Sequence, residues 1–378
     1  MSHPAEQTEA TIREISDEFA IAGEFVEGVE IDSGHINNTY LAVYEKPNGK
    51  RARYILQRIN EFVFKDPLQV MRNVEAVTRH INWKVLRVKK DLGGQTLNIY
   101  PARGGRSFAY GEGGGVWRCY NFIENCHTYD VVENTRQAFQ AAKAFGSFQD
   151  LVSDMPAEEV AETIPDFHNT PKRYARLMEV IAADPKGRLK NVEAEVDFIK
   201  AREGLCNHLV KLAAEGKLPT RVTHNDTKLN NVMMDSDTDE AVCVIDLDTV
   251  MPGLSLYDFG DLVRTATSPA EEDEKDLSKV EMRMSMFEAL AEGYLEGCDC
   301  LIPLEIENLV TGGKLMTLEV GIRFLTDYLE GDQYFKTEYD DHNLVRCRTQ
   351  LKLVECIEEK EAEMNNFVSI VAKGKQQC

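Results

Sequence analysis

Four polar residues in the segment 223–262 have the types and the spacing that phosphoryl transfer requires: His224, Asp226, Asn231 and Asp246. In this reaction one carboxylate orients the attacking hydroxyl and accepts its proton, while metal ions neutralise charge on the nucleotide phosphates. Asp226 precedes Asn231 by five positions, and the same interval separates the base from the metal-binding Asn in the protein-kinase loop H-R-D-x-x-x-x-N. His224 then occupies the His position of that loop. The spacing therefore predicts Asp226 as the catalytic base of an ATP-dependent kinase.

A short apolar run after this loop is predicted to supply the metal site. Residues 241–247, AVCVIDL, are mostly apolar and partly β-branched, which indicates a buried strand that ends by delivering Asp246 and Asp248. Because Mg²⁺ prefers hard oxygen ligands, we expect Asn231 and Asp246 to hold it. Asp and Asn are also common in turns and at helix caps. The combination of H-x-D, a following Asn and a strand ending in Asp nevertheless favours the catalytic interpretation.

The same residues resemble the aminoglycoside phosphotransferase and choline kinase superfamily, in which H-G-D commonly stands where this chain has His224, Asn225 and Asp226. Further segments resemble the N-acetylhexosamine 1-kinase branch of that superfamily: GHINNTY (34–40), YILQRIN (54–60), FKDP (64–67), HNDTKLNN (224–231), IDLDTVMPG (245–253) and RFLTDYLEGDQYF (323–335).

This resemblance implies a protein-kinase-like α+β fold that uses ATP and Mg²⁺ and transfers the γ-phosphate to the anomeric hydroxyl of an N-acetylhexosamine. Two alternatives stay open. One is a kinase for another hydroxyl acceptor, such as an aminoglycoside, choline, homoserine or another sugar. The other is a catalytically silent nucleotide-binding protein, which the absence of a Lys on the third strand would favour.

The elements that must position these residues divide the chain into two parts, with strand-like runs first and helical periodicity afterwards. The predicted strands are 39–44, 53–59, 96–99 and 116–123. The predicted helices of the second part are 136–152, 171–182, 192–213, 279–295, 306–328 and 343–366. We therefore expect a two-lobed fold, with an antiparallel β-sheet lobe at 1–124 and a mainly helical lobe at 125–378.

In a kinase sheet the third strand carries a cation that pairs with the nucleotide phosphates, and the predicted strand 53–59 is assigned to that position. It has no Lys, so Arg58 is the candidate cation and Gln57 the alternative for that position. Strand alternation puts these two residues on opposite faces, and the sequence leaves open which face meets ATP. Asp66 followed by Pro is typical of the start of a helix, which is expected to run to about Ile81, and Glu75 on that helix could reach the third-strand residue.

The end of the fourth predicted strand is expected to form the hinge between the lobes and to contact adenine through Asn121, Phe122 and Ile123. Trp117 on the same strand is more typical of a core aromatic and is kept as a minor binding candidate. The loop 32–38 lies where a hairpin could cover ATP. The resemblance also places its His35 and Asn37 near the acceptor sugar.

For the acceptor site in the helical lobe, the resemblance points to Arg323 and Tyr334, which could hydrogen-bond sugar hydroxyls or an N-acetyl carbonyl. Structural support of the catalytic loop is assigned to three residues: His224, Asp258 and Asp261. Asp166 and His168 lie in a predicted loop and are further candidates.

Composition excludes several classes of function. The formal net charge of −21 argues against a nucleic-acid partner, because phosphate backbones require a basic surface. No apolar run approaches the roughly 20 residues of a membrane helix, and the polar, acidic N-terminus does not resemble a signal peptide. We therefore expect a cytoplasmic protein with reduced thiols, whose close pair Cys298 and Cys300 lacks the further ligands of a zinc site. The oligomeric state is left open.

Overall fold

The computed structural model of the protein describes residues 4–31, 36–88 and 96–375. Its N-terminal elements are α1 (Pro4–Asp17), β1 (Glu24–Ile31), β2 (Asn38–Glu45), β3 (Arg51–Arg58), α2 (Pro67–Val88), β4 (Ile99–Tyr100), β5 (Ala109–Tyr110) and β6 (Val116–Asn121). Six antiparallel strands form one sheet in the order β1-β2-β3-β6-β4, and β5 also pairs with β6. The predicted antiparallel sheet is confirmed. The strand predicted at 96–99 is in fact only the two-residue β4.

Helix α2 begins as the sequence predicts. The carboxylate of Asp66 accepts a hydrogen bond from the Gln69 amide at 2.9 Å, which satisfies one of the unpaired amides of the first turn. The helix continues to Val88, beyond the expected end at residue 81. Val70, Val74 and Val77 on its buried face lie in one hydrophobic cluster with Leu247 and Val250, which follow Asp246 in the chain. This packing connects the sheet to the segment that carries the candidate metal ligands.

The remainder of the described chain is mainly helical. Its elements are β7 (Cys126–His127), α3 (Thr135–Leu151), α4 (Thr170–Ala183), α5 (Glu193–Lys200), α6 (Glu203–Ala214), β8 (Arg221–Thr223), β9 (Val232–Asp235), β10 (Ala241–Val244), β11 (Met251–Gly253), α7 (Ser255–Ala266), α8 (Met284–Gly297), α9 (Pro303–Glu307), α10 (Leu309–Glu330) and α11 (His342–Lys375). Two small sheets, β10-β9-β7 and β11-β8, bracket the loop that contains Asp226.

The single helix predicted at 192–213 is wrong, because the chain forms α5 and α6 with a break between them. The backbone of Arg202 leaves the helical region, with φ −112° and ψ 17°. Its guanidinium donates two hydrogen bonds to Glu358 of α11, at 3.0 and 2.7 Å. The break coincides with this tertiary ion pair, and no Pro in the segment announces it.

Helices α7 and α10 cross at two glycines, and this crossing fixes the position of α7 beside the catalytic segment. A Cβ atom on Gly260 would lie 2.4 Å from the carbonyl oxygen of Gly312, which is closer than van der Waals contact permits. Only glycine therefore fits at position 260 at this helix separation. In the part of the chain that the structure describes, no helix is both long enough and apolar enough to cross a membrane.

Candidate active site

The residue before Asp226 adopts a backbone conformation that few residue types accept. Asn225 has φ +65°, in the left-handed region that Gly and Asn tolerate best. Its side-chain amide donates to the carbonyl oxygens of Thr223 and Thr249 at 3.2 and 2.9 Å, and these bonds hold the turn. Asn225 thus stabilises the left-handed turn that presents Asp226.

Two carboxylates of α7 hold the backbone of this loop. The buried Asp258 accepts hydrogen bonds from the amides of His224 and Asn225 at 2.9 and 2.7 Å. Asp261 accepts from the amide of Thr227 at 3.0 Å and pairs with Arg264. Burial raises the pKa of Asp258, although His224 and the two amides oppose this shift. These contacts are those expected of the supporting roles assigned to Asp258 and Asp261.

His224 is fully buried and links the loop to the strand that carries Asp246. Its Nε2 lies 3.0 Å from the carbonyl oxygen of Ile245, and because a carbonyl can only accept, Nε2 carries the proton. The rings of Phe145 and Phe148 form T-shaped contacts with the imidazole, with centroids 5.2 and 5.6 Å away. His224 is therefore placed to hold structure and not to exchange protons with a substrate.

Asp226 lies at the surface of the loop with its side chain about one-fifth exposed, beside Lys228 at 2.9 Å. Burial alone would raise the pKa of Asp226, but the attraction of Lys228 and of His224 outweighs it, so the pKa lies below its usual value. The amide of Asn231 donates to the backbone carbonyl of Asp226 at 2.8 Å and to its carboxylate at 3.3 Å. The geometry keeps the carboxylate ionised and oriented, as a general base requires.

Asp246 follows β10 in a left-handed conformation with φ +58°, and the Ile245 amide bonds the carbonyl oxygen of Asn231 at 2.9 Å. The two predicted metal ligands are therefore on adjacent segments. Burial, followed by repulsion from Asp248 and Asp226, raises the pKa of Asp246 to about 7.

The carboxylates of Asp226, Asp246 and Asp248 form an acidic cluster. Its concentrated negative charge suits a divalent cation. Among the described residues, no set of three or more His, Cys, Asp and Glu side chains could hold a metal ion. Nucleotide-bound Mg²⁺ is usually held by only one or two protein ligands, and water and phosphate oxygens complete its shell.

A buried ion pair, missed from the sequence, joins the sheet to this region. Arg118 of β6 and Asp248 are 1% and 2% exposed and pair directly. Arg118 also donates to the Gln57 side chain at 3.0 and 2.8 Å, and Asn37 donates to Asp248 at 2.6 Å. The sequence carries no signal of this pair. Gln57 and Arg118 are register partners on neighbouring strands, and a single sequence does not show such pairing.

The structure decides which face of β3 meets the acidic cluster. Gln57 points toward Arg118 and Asp248. Arg58 is exposed and lies on the opposite face of the strand, together with Leu56, which packs in a hydrophobic cluster with Ile12 of α1. Glu75 is also exposed on α2. The structure does not bring Arg58 or Glu75 to the acidic cluster.

The predicted hinge residues begin with Asn121, the last residue of β6, and continue with Phe122 and Ile123 directly after it. The amide of Asn121 bonds the carbonyl oxygen of Asn98 at 3.1 Å, and that of Phe122 bonds the carbonyl oxygen of Arg53 at 3.3 Å. These two amides are thus already used within the protein. Trp117 is buried and its ring lies 5.5 Å from that of Tyr40, so it packs in the core of the sheet.

The loop before β2 is only partly described. His35 lies outside the described residues, so the structure says nothing of its predicted role. Asn37 is buried and binds Asp248, and its side-chain oxygen accepts from the Asn60 amide at 2.9 Å. Asn37 therefore anchors the start of β2 beside the acidic cluster.

The predicted acceptor residues lie together at the end of α10. The Arg323 guanidinium is 5.8 Å from the ring of Tyr334, which is 63% exposed. It also lies 5.6 and 5.5 Å from the rings of Phe167 and Phe335. Within the described part of the chain, Arg323 has no hydrogen bond or ion pair of its own, so its donors are available to a ligand.

His168, one of the further candidates, bridges α10 to the catalytic loop. Its Nδ1 is 2.9 Å from the carboxylate of the buried Glu319, and its Nε2 is 3.1 Å from the carbonyl oxygen of Asn225. Both partners are acceptors, so both contacts are hydrogen bonds only in the protonated imidazolium. Asp166, the other candidate, pairs with Lys172 at 2.8 Å on the surface.

The charge of His168 leads to a pH prediction. Burial would lower the pKa of His168, but the attraction of Glu319 and the two hydrogen bonds outweigh it and raise the pKa above its ordinary value, while Arg323 opposes them. A raised folded-state pKa gives stability that is complete below about pH 6.5 and is lost as pH rises through the folded-state pKa. We expect the free energy of unfolding in urea to fall over this window.

Glu319→Gln removes the attraction and should abolish this decline. His208→Gln is the matched control, because among the described residues the ring of His208 hydrogen-bonds only to the neutral side chain of Asn308, at 3.0 Å. Equal pH slopes in the Glu319→Gln variant and the wild type would contradict the charged bridge.

Comparison with known proteins places this geometry in context. A sequence model of the phosphotransferase enzyme family APH matches residues 27–297. The fold is similar to an aminoglycoside phosphotransferase from Alicyclobacillus acidocaldarius subsp. acidocaldarius DSM 446, with a TM-score of 0.57 and 11% identity over 96% of both chains. It is similar to an amicoumacin kinase solved with AMP-PNP, Ca²⁺ and Ami, with a TM-score of 0.52 and 13% identity over 90% of this chain and 91% of that one. A choline kinase from Cryptosporidium parvum Iowa II matches at 0.53 and 14% identity over 90% of this chain and 93% of that one. The predicted kinase-like α+β fold is confirmed.

Proposed function

The chain belongs to the APH phosphotransferase enzyme family, and from that premise we propose that it transfers the γ-phosphoryl group of ATP to the anomeric 1-hydroxyl of an N-acetylhexosamine. The observation that carries the proposal is the Asp226 carboxylate, which is held ionised by Lys228 at 2.9 Å and oriented by Asn231 in a loop braced from α7. A carboxylate so fixed can accept the proton of an attacking hydroxyl.

The phosphates of ATP would meet this loop from the side of Asn231 and Asp246. A Mg²⁺ ion bound by these two residues would neutralise charge on the phosphate oxygens. Lys228 is 43% exposed and is the cation nearest to the base, so it can attract the transferring group as negative charge develops. The amicoumacin kinase solved with AMP-PNP shares this fold, which supports ATP as the donor.

The adenine would lie at the hinge. Because the amides of Asn121 and Phe122 are used internally, the backbone of Ile123 is the hinge group proposed to pair with the adenine edge. On the side of the sheet, Gln57 accepts a hydrogen bond from Arg118, whose guanidinium is already paired with Asp248. The proposed site therefore works without a third-strand Lys, and Gln57, not Arg58, is the residue of that strand nearest to the phosphates.

The acceptor would bind between the loop and the end of α10. Arg323 has no hydrogen bond or ion pair among the described residues, and Tyr334 beside it is 63% exposed; a guanidinium and an exposed phenol together suit the hydroxyl groups and the apolar face of a sugar. The acceptor assignment depends on the segments GHINNTY and RFLTDYLEGDQYF and on this pairing of Arg323 with Tyr334.

Phosphorus NMR tests the proposal directly. The protein is incubated with ATP, Mg²⁺ and N-acetylglucosamine or N-acetylgalactosamine, beside a panel of hexoses, aminoglycosides and choline. We expect a new sugar 1-phosphate signal that is absent with the Asp226→Asn variant. Transfer only to an amine-bearing acceptor would overturn the sugar assignment and keep the kinase, whereas ATP binding without transfer to any acceptor would support a silent nucleotide-binding protein.

A further inference from the structure

The chain leaves α8 at Gly297 and immediately brings two thiols together. Cys298 is extended, with φ −120° and ψ 110°, and residues i and i+2 of an extended segment point to the same side. The Sγ atoms of Cys298 and Cys300 are 3.3 Å apart, at hydrogen-bond distance. Two extended residues span about 6.6 Å, at the upper end of the Cα separations that a disulfide accepts. A slight contraction of this segment would let the two sulfur atoms bond.

The two thiols differ in exposure and acidity. Cys298 is 3% exposed and Cys300 is half-buried. The hydrogen bond from Cys298 lowers the pKa of Cys300, burial opposes it, and the positive charge of Arg221 lowers it further. The pKa of Cys298 is raised. Since the thiolate is the nucleophile in disulfide exchange, Cys300 is the thiol that would react first and Cys298 the one that would resolve.

The remaining described cysteines offer no comparable pair. No Sγ–Sγ contact at hydrogen-bond distance joins any two of them in the described ranges, and burial raises the pKa of each one: Cys119, Cys126, Cys206, Cys243, Cys347 and Cys356. The Sγ atom of Cys356, for example, lies 3.5 Å from the carbonyl oxygen of Val280. Cys298 and Cys300 therefore combine proximity with a lowered pKa in a way that the others do not.

The dithiol is also connected to the strand that leads into the catalytic loop. Arg221, the first residue of β8, donates to the carbonyl oxygen of Cys300 at 2.8 Å. The same guanidinium binds both carboxylate oxygens of the buried Glu305 at 2.8 Å. A change in the backbone at Cys300 thus reaches β8 through a single hydrogen bond.

We propose that Cys298 and Cys300 form a reversible disulfide, so that the end of α8 is a thiol-modification site whose oxidant is a low-molecular-weight disulfide such as oxidised glutathione. The Cys300 thiolate attacks one sulfur of the oxidant, which forms a mixed disulfide and releases one glutathione thiolate. The Cys298 thiol then loses its proton and attacks Sγ of Cys300, which displaces the second glutathione. Two electrons pass from the protein to the oxidant, which leaves as two reduced thiols.

Peptide mass spectrometry tests the proposal without reference to any enzymatic activity. Trypsin cuts after Arg283 and Lys314, so one peptide contains Cys298 and Cys300 and no other cysteine. The folded protein is treated with oxidised glutathione, alkylated with iodoacetamide and digested. We expect this peptide to be lighter than its reduced form by two hydrogen atoms and to carry no alkyl group. Prior incubation with dithiothreitol should restore double alkylation.

Single variants identify the order of the two steps. Cys298→Ser should trap glutathione on Cys300, and Cys300→Ser should leave Cys298 free for alkylation after unfolding. Cys356→Ser is the matched control and should leave the disulfide unchanged. Full alkylation of both cysteines in the oxidised wild type would overturn the proposal, as would a stable glutathione adduct on wild-type Cys300 at the level seen in Cys298→Ser.

Discussion

Turnover of the Asp226→Asn variant is expected to fall by roughly 10²–10⁴-fold, the range that a general base contributes, while nucleotide affinity stays near that of the wild type. The amide keeps the size and the hydrogen bond to Asn231 but cannot accept the proton of the acceptor hydroxyl. Because the missing interaction is made only in the transition state, kcat should fall without a compensating change in KM. Steady-state phosphoryl transfer, with binding of a fluorescent ATP analogue, measures both quantities.

A matched replacement separates chemistry from charge. Asp237 lies in the turn after β9, where it bonds the side chain of Asn125 at 2.9 Å on the surface. Asp237→Asn makes the same change of charge outside the proposed site and should keep wild-type turnover. If Asp226→Asn turned over at the wild-type rate, Asp226 would not be the base and the proposed mechanism would be wrong.

The residues predicted from the sequence are those whose chemistry depends on short spacing. H-x-D, the Asn five residues later and the strand before Asp246 are local features, and the loop that they form is held together by bonds within 223–261. Fold class followed from the same kind of signal, because strand alternation and helical periodicity are local patterns. The roles of these residues in catalysis remain predictions.

What the sequence did not predict depends on contacts between distant residues. Arg118 meets Asp248 across 130 positions, and His168 meets Glu319 across 151. Asp248 and His168 stand in segments that the sequence singles out, but nothing in the sequence marks Arg118 or Glu319 as their partners before the sheet register and the helix packing are known. The missing third-strand Lys led to Arg58 as the candidate cation, whereas the buried cation of this region comes from the neighbouring strand. Lys228 is different, because its place two residues after the proposed base is a local feature of the sequence that indicates a cation beside Asp226.

The buried pair of Arg118 and Asp248 should make a large contribution to the free energy of unfolding. Arg118→Leu leaves the Asp248 carboxylate, only 2% exposed, without its counter-charge. Removing one partner of a buried pair typically costs about 3–5 kcal/mol, because the remaining charge has no solvent. We expect a loss of this size in the free energy of unfolding, measured by urea denaturation at neutral pH. For a domain stabilised by about 5–15 kcal/mol, the variant should still fold.

The double variant Arg118→Leu/Asp248→Leu should recover part of that loss, since no isolated charge remains in the interior. Arg53→Leu provides the surface control: Arg53 also pairs with a carboxylate, that of Glu124, but the two side chains are 41% and 54% exposed. An exposed pair contributes about 0–1 kcal/mol, so this variant should remain close to the wild type. Equal losses from Arg118→Leu and Arg53→Leu would show that burial of the pair does not set its contribution. A double variant less stable than Arg118→Leu would instead show that the Asp248 carboxylate stabilises the fold even without Arg118, because Asn37 still donates a hydrogen bond to it at 2.6 Å.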